Sequence, residues 1–354
     1  MTFLRALSSV GRPVLTRLDP EFAHTLTIKA LSRFDRTPAM EPDDPRLRVQ
    51  AFGLDFPNPV GLAAGFDKNA AATEAMLSFG FGFVEAGTVT PRPQEGNPKP
   101  RIFRLREDRA VINRLGFNNE GLDVARKRLV RLQGRPGIRG INIGANKDAD
   151  DRVADYVTGL KALGPLANYV TVNISSPNTP GLRGLQNKSE LQTLLTALSE
   201  ARTTLAKRVP LLVKIAPDLD DHACADIAEL ALAHKLDGLI VSNTTIARPS
   251  TLKSHHAAET GGLSGVPLFV RSTAVLRTIR RMTQAKITLI GVGGISSGAD
   301  ALAKIKAGAT LVQLYTALTY EGPGLINRIK RELLAELSRE GHHAIDTAVG
   351  APDA

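Results

Sequence analysis

With 354 residues and 43% hydrophobic content, the chain can hold one large domain or two small ones and has enough apolar residues for a sizeable core. Its single cysteine, Cys224, excludes an internal disulfide and a cysteine-ligated zinc or iron-sulfur centre within one chain. The formal charge of +10 would suit an anionic partner, yet Lys and Arg are scattered along apparent helix faces, and 5% aromatic content without Trp argues against a base-stacking platform, so no nucleic-acid partner is expected.

The N-terminus, MTFLRALSSVGRPVL, lacks the long apolar region and small-residue cleavage site of a secretory signal, and no apolar run reaches the roughly 18 residues of a membrane span. A cytoplasmic protein is expected. Residues 1–40 read instead as a separate amphipathic element. Phe3, Leu4, Leu7, Val10, Val14, Leu15 and Leu18 trace an apolar stripe broken near Gly11 and Pro13. A second helix starts where Asp19 can cap Pro20, and it carries Phe22, Leu26, Ala30, Leu31 and Phe34 among Arg17, Lys29, Arg33 and Arg36. Such basic, apolar-faced helices suit a membrane-surface anchor or a lid over an apolar pocket; a helical hairpin packed on the domain wall is the alternative.

From about residue 59 short apolar runs alternate with segments of helical period, the rhythm of repeated βα units. The expected strands are Pro59 to Gly65, Phe81 to Val89, Gly140 to Asn146, Tyr169 to Ser175, Pro210 to Ala216, Gly238 to Thr244, Ile287 to Gly294 and Leu311 to Tyr315. Helices are expected over Asn69 to Phe79, Glu120 to Leu132, Asp151 to Leu163, Ser189 to Lys207, Asp220 to His234, Pro267 to Met282, Ser297 to Ala307 and Gly324 to Arg339. Eight strands followed by eight helices imply an α/β protein with a closed (β/α)8 TIM barrel over residues 41–340. An open doubly wound sheet competes less well, because Gly61 to Gly65 lacks the G-x-G-x-x-G spacing of its phosphate loop. Residues Pro93 to Asn113 break the rhythm as a hairpin excursion, and the small, polar stretch 341–354 reads as a flexible C-terminal tail.

The expected strands end in residues that a core does not need: Ala63 to Asn69 (AAGFDKN), Glu85 to Thr88, Asn142, Asn173 to Asn178, Lys214, Ser242 to Thr245, Gly291 to Gly294, and Tyr315 with Thr316. The richest is Asn173-Ile-Ser-Ser-Pro-Asn-Thr-Pro-Gly181, a rigid polar rim. Asn amides donate and accept together, which suits a ligand with carbonyls and ring N–H groups, such as a pyrimidine or an isoalloxazine. The lysines supply positive charge, and the late glycines suit a phosphate at the usual barrel position. No His pair or carboxylate cluster suggests a metal, and the histidines fall outside the strand-end motifs, which argues against a hydrolytic triad for Ser175 or Ser176. A serine base beside a flavin is the more economical reading.

The segments GLAAGFDKN, EAGTVTPRPQEGNPKPRIFRL, INRLGFNN, INIGANK, VNISSPNTPGLR, VKIAPDL, SNTT, TGGLSG, GVGGI and LVQLYT closely resemble, in order and spacing, the class 2, quinone-dependent dihydroorotate dehydrogenases of pyrimidine biosynthesis. The likeness runs from about Asp19 to about residue 335. It implies FMN over the strand ends, contacted by Ala63, Ala64, Gly65, Lys68, Thr88, Asn142, Asn173, Lys214, Ser242, Gly265, Gly294, Tyr315 and Thr316. It implies dihydroorotate held by Lys68, Asn113, Arg114, Leu115, Gly116, Phe117, Asn173, Asn178, Asn243 and Thr244, with Ser176 as the base for the C5 proton while hydride leaves C6 for the flavin. Class 1 enzymes of the family carry Cys at that base position, so Ser176 and the N-terminal helices both point to class 2. Ser242 stands where Thr is usual, keeping the hydroxyl. Ubiquinone or menaquinone would then reoxidise the flavin by entering between the N-terminal helices near His24, Arg104 and Tyr315. A monomer lying peripherally on the cytoplasmic face of the cell membrane is the implied state.

Overall fold

A computed structural model describes residues 17–33 and 42–352. The stripe expected over Phe3 to Leu15, together with Phe34 and Arg36, lies outside the described residues. In chain order the strands are β1 (Val49–Ala51), β2 (Leu54–Phe56), β3 (Val60–Leu62), β4 (Phe83–Val89), β5 (Ile102–Leu105), β6 (Ala110–Asn113), β7 (Ile138–Ile143), β8 (Tyr169–Asn173), β9 (Leu211–Ile215), β10 (Gly238–Val241), β11 (Gly262–Gly265), β12 (Thr288–Val292) and β13 (Leu311–Leu314). The α-helices are α1 (Pro20–Leu31), α2 (Thr73–Ser78), α3 (Leu122–Arg131), α4 (Arg152–Leu163), α5 (Lys188–Thr203), α6 (Asp221–Ala233), α7 (Phe269–Met282), α8 (Gly298–Lys306), α9 (Thr316–Glu321) and α10 (Gly324–Arg339).

All eight expected strands enter one closed parallel barrel, β3-β4-β7-β8-β9-β10-β12-β13, which closes where β13 pairs with β3 at Val312 and Val60. Every residue of β4, β7, β8, β9 and β10 is buried, because helices cover the outside and side chains fill the inside. The N-terminal end of the barrel is filled by aromatic rings. Phe83 lies 6.3 Å from Tyr169 and 5.2 Å from Phe56, which the β1–β2 hairpin delivers from below. Gly61 and Gly140, in register with Phe83 and Tyr169 respectively, make room, since a Cβ there would stand 2.3 Å from the Phe83 ring and 2.1 Å from the Tyr169 ring. With that end plugged, the open end is the one where the strands finish.

Helix starts follow their caps. Asp19, Asp151, Asp220 and Ser297 each accept a backbone N–H at the head of α1, α4, α6 and α8. The helix expected from Asn69 begins only at Thr73, because the Asp67 carboxylate accepts the N–H groups of Asn69, Ala71 and Ala72 and holds them in a tight turn. The expected hairpin excursion is β5–β6, and β11 adds to it as a third antiparallel strand that the sequence did not suggest. The frayed end expected after residue 340 is corrected. Ile345–Ala348 forms a 3-10 turn with Ile345 and Ala348 buried, and Gly350 N–H donates to Ile305 O at 3.0 Å.

Candidate active site

One cavity of about 780 Å³ occupies the barrel mouth and extends beneath α1. Ala63, Ala64, Gly65, Lys68, Thr88, Asn173, Lys214, Ser242, Gly265, Gly294, Tyr315 and Thr316 line it, as does Ser176. So do Asn113, Leu115, Gly116, Phe117, Asn178, Asn243 and Thr244, with His24 and Arg104 under α1. Two expected residues are not on its wall. The Asn142 side chain is wholly buried behind Thr88, and the Arg114 guanidinium turns outward to Glu259 at 2.7 Å, stacking 4.6 Å from the Phe103 centroid. An extended segment sends alternate side chains to opposite sides, so Asn113 and Leu115 face the cavity and Arg114 faces away.

The polar floor of the mouth is a hydrogen-bonded ladder. Glu85, 0% exposed inside the barrel, accepts from Asn142 Nδ2 at 2.8 Å on one oxygen and from Tyr169 OH, Thr171 Oγ1 and Gln313 Nε2 at 3.0–3.1 Å on the other. Asn142 Oδ1 accepts from Thr88 Oγ1 at 2.6 Å, and Thr88 in turn accepts from Asn173 Nδ2 at 3.0 Å. Asn173 Oδ1 then faces the N–H and hydroxyl of Ser175 at 3.3 and 3.2 Å, and Asn243 Nδ2 at 3.4 Å. Every rung donates toward Glu85, so one carboxylate at the bottom orients the amides at the top. The sequence reading gave Glu85 no role. Its signal was present, since an acid inside the apolar run FGFVEAGTV demands a reason.

Above the ladder sit two cations and a hydroxyl. Lys214, paired in register with Asn173, is buried, and no hydrogen bond or ion pair holds its ammonium among the described residues. Burial lowers its pKa and the field of Glu85 opposes the shift. Lys68 likewise lacks a hydrogen-bonded partner, and burial drives it down to about 8, with Glu21 and Asp67 opposing and Arg101 reinforcing. Ser176, 5% exposed, accepts the N–H of Asn178 at 3.3 Å, and Asn178 Nδ2 donates to Asn113 Oδ1 at 3.3 Å. Thr179 is a residue that the sequence reading passed over: its hydroxyl is buried three positions beyond Ser176 and has no partner among the described residues.

The other half of the cavity is apolar. Ala23, Leu26, Ala30 and Leu31 of α1 face Met76, Phe79, Ile102 and Leu268 across it. The helix is tied down at its head, where Arg101 grips Glu21 at 3.0 and 2.6 Å and Arg104 donates to Leu18 O at 2.9 Å. His24 reaches inward to Tyr315 OH at 3.4 Å and sets its ring edge against Phe66 at 5.3 Å. Burial, reinforced by Lys68, lowers the His24 pKa to about 3, so the ring is neutral. Burial raises that of Tyr315.

Comparison with known proteins decides what holds this arrangement. The dihydroorotate dehydrogenase family profile matches residues 46–337. The chain belongs to that family. It is 58% identical over 346 residues to dihydroorotate dehydrogenase (quinone) of Parvibaculum lavamentivorans, covering 98% of each chain, and 56% identical to the Agrobacterium fabrum protein of the same name, covering 96% and 94%. A crystal structure of the Eimeria tenella DHODH in complex with ferulenol superposes with a TM-score of 0.90 at 45% identity, covering 94% of this chain and 95% of that one.

Dihydroorotate dehydrogenases are FMN-dependent, and the cavity's chemistry fits that cofactor. Its volume is in the range of ligand pockets, and Lys214 supplies an unpaired buried cation beside the Asn ladder. At the end of β12, the seventh barrel strand and a usual phosphate position in such barrels, Gly293 and Gly294 adopt φ of +110° and +80°. A Cβ at Gly294 would lie 2.5 Å from Phe269 Cβ, so only glycine brings this loop against the start of α7. Among the described residues no His, Cys, Asp and Glu cluster could hold a metal.

Proposed function

We propose that the protein oxidises dihydroorotate to orotate in pyrimidine biosynthesis, with FMN as immediate acceptor and ubiquinone or menaquinone as final acceptor. The observation that carries this reading is the continuity of one cavity from Ser176 and Lys214 at the barrel mouth to the apolar face of α1. Bound FMN supplies a reversible two-electron acceptor; the remaining work falls to side chains. Lys68 pairs with the substrate carboxylate, while the amides of Asn113, Asn173, Asn178 and Asn243 and the hydroxyl of Thr244 hold the ring carbonyls and N–H groups. Ser176 Oγ removes the C5 proton, and Thr179 is the buried hydroxyl available to pass it on. Lys214 places its positive charge where electron density accumulates. Ala63 to Gly65, Thr88, Ser242, Gly265, Gly294 and Thr316 would hold FMN, with Asn142 acting only through Thr88.

The quinone enters beneath α1 and reaches His24, Arg104 and Tyr315. Phe22 and Leu26, 59% and 43% exposed, seat α1 on the cytoplasmic face of the membrane as a peripheral monomer, and among the described residues no helix is long and apolar enough to cross a bilayer. Anaerobic mixing with dihydroorotate tests both halves: the flavin should bleach, then recolour on quinone addition. Ser176→Ala should slow bleaching severely with FMN still bound; unchanged single-turnover bleaching would remove Ser176 from the mechanism.

A further inference from the structure

We infer that Lys304 is the buried counter-charge for the flavin phosphate, standing one layer behind the glycine loop and acting through Ser272 and the first turn of α7. This rests on the reading above in which the FMN phosphate lies at Gly293 and Gly294.

Lys304, near the end of α8, is 0% exposed, and no carboxylate lies within ion-pair distance of it among the described residues. Its ammonium donates to Ser272 Oγ at 2.6 Å and to Phe269 O at 3.5 Å, and lies 4.9 Å from the Phe269 ring centroid. Asp300, one turn earlier on α8, spends one carboxylate oxygen on the N–H and hydroxyl of Ser296, both at 2.9 Å. A buried ammonium without an anion is costly, and an anion brought within reach of its field offsets that cost. Burial lowers its pKa to about 7, with Asp300 opposing and Arg277 reinforcing, so a neighbouring dianion would draw it back to the charged form.

The geometry connects this charge to the loop without a gap. Ser272 Oγ faces the carbonyls of Leu268, Phe269 and Gly293 at 2.8, 3.1 and 3.2 Å, and Lys304 takes its acceptor side. A Cβ on Gly293 would come within 2.6 Å of that same Oγ, and a Cβ on Gly294 within 2.8 Å of Phe269 N. Lys304 does not touch the cofactor in this arrangement. It is a positioning residue that biases the site toward a phosphomonoester and therefore toward FMN over riboflavin.

Flavin-free protein titrated with FMN and, separately, with riboflavin, followed by quenching of flavin fluorescence, tests this in unaltered protein, Lys304→Met, Lys304→Gln and Lys304→Arg. Losing one charge-assisted interaction should weaken FMN by about tenfold in the Met and Gln variants while riboflavin changes by less than about twofold, and Arg should keep most of the preference. Gln retains a donor toward Ser272 without the charge, so it separates charge from packing. Equal losses for both flavins, or none, would overturn the inference, as would failure of both uncharged variants to fold without flavin. An unaltered protein that binds riboflavin as tightly as FMN would instead overturn the phosphate-loop reading itself.

Discussion

Glu85→Gln is the sharpest test of the ladder, because it preserves volume and changes only the direction of hydrogen bonding. Three donors, Tyr169, Thr171 and Gln313, converge on one carboxylate oxygen, so the amide oxygen of Gln is needed there and its NH2 is left facing Asn142 Nδ2. Flipping Asn142 would pass the conflict to Thr88 and then to Asn173, but the Ser175 N–H donates to Asn173 Oδ1 and prevents that amide from turning. The ladder is clamped at both ends, so one buried donor stays unmatched wherever the conflict settles. That costs about 1–3 kcal/mol. Lys214 also loses the field that opposes its pKa depression, so its ammonium deprotonates more readily in the variant. Urea unfolding of the flavin-free protein should show a lower midpoint at unchanged slope. Glu85→Leu, which orphans all four donors, would lose a large share of a typical net stability of about 5–15 kcal/mol and should not accumulate folded. An unchanged unfolding midpoint in Glu85→Gln would refute the clamped ladder.

The remaining predictions concern the cations and α1. With the Lys68 ammonium as the proposed partner of the substrate carboxylate and its pKa pushed down by burial to about 8, KM for dihydroorotate should be flat below that pH and rise above it, with a smaller effect on kcat; a KM that stays flat to pH 10 would oppose the pairing. The depressed pKa also means that the unfolded chain binds the Lys68 proton more strongly between about 8 and the ordinary 10.5, so this residue makes stability rise with pH across that window. His24 is neutral down to about 3, so its ring resonances should show no titration between pH 5 and 8; an inflection near 6.5 would show that the ring is not buried as described. Arg101→Ala removes the grip on Glu21 and uncaps the Glu95 and Asn97 carbonyls, and should slow quinone reduction and speed proteolysis within α1, with flavin bleaching by dihydroorotate retained. Equal loss of both half-reactions would place Arg101 in the substrate site instead.

The barrel was legible because a parallel strand covered on both sides must be apolar throughout, so runs such as YVTV and LLVKI are visible without periodicity. Its mouth was legible because Asn173 to Asn178 and Ser242 to Thr245 interrupt those runs with groups that burial penalises unless a ligand or network uses them. What depended on partners distant in sequence was not legible. Gly262–Gly265 is a strand only because β6 supplies its register, and Glu85 matters because Thr171, Gln313 and Asn142 arrive from three other strands. The buried turn at Ile345–Ala348 shares that cause, since Gly350 bonds back to Ile305 of α8, whereas the late start of α2 is a local override in which the Asp67 carboxylate caps the N–H groups of Asn69, Ala71 and Ala72.

The two halves of the cavity make opposite demands, and the fold meets them with different elements. Recognition of a polar ring needs amides held in one orientation, which the rigid barrel supplies through Glu85 and Asn173. Admission of an apolar molecule needs a wall without uncompensated charge, and α1 provides it with Ala23, Leu26, Ala30 and Leu31 while its one ionisable inward group, His24, is neutral. Among the described residues the ion pairs of α1 lie at its head, where Glu21 meets Arg101 at the border between the halves. Because Glu21 also lies in the field of Lys68, that single carboxylate links the helix over the apolar half to the cation of the polar half. Glu21→Gln should therefore lower the Lys68 pKa further and move the rise in KM for dihydroorotate to lower pH, an effect at the proposed substrate site from a residue on the proposed quinone side. A pH profile identical to that of the unaltered protein would show that the two halves are electrostatically independent.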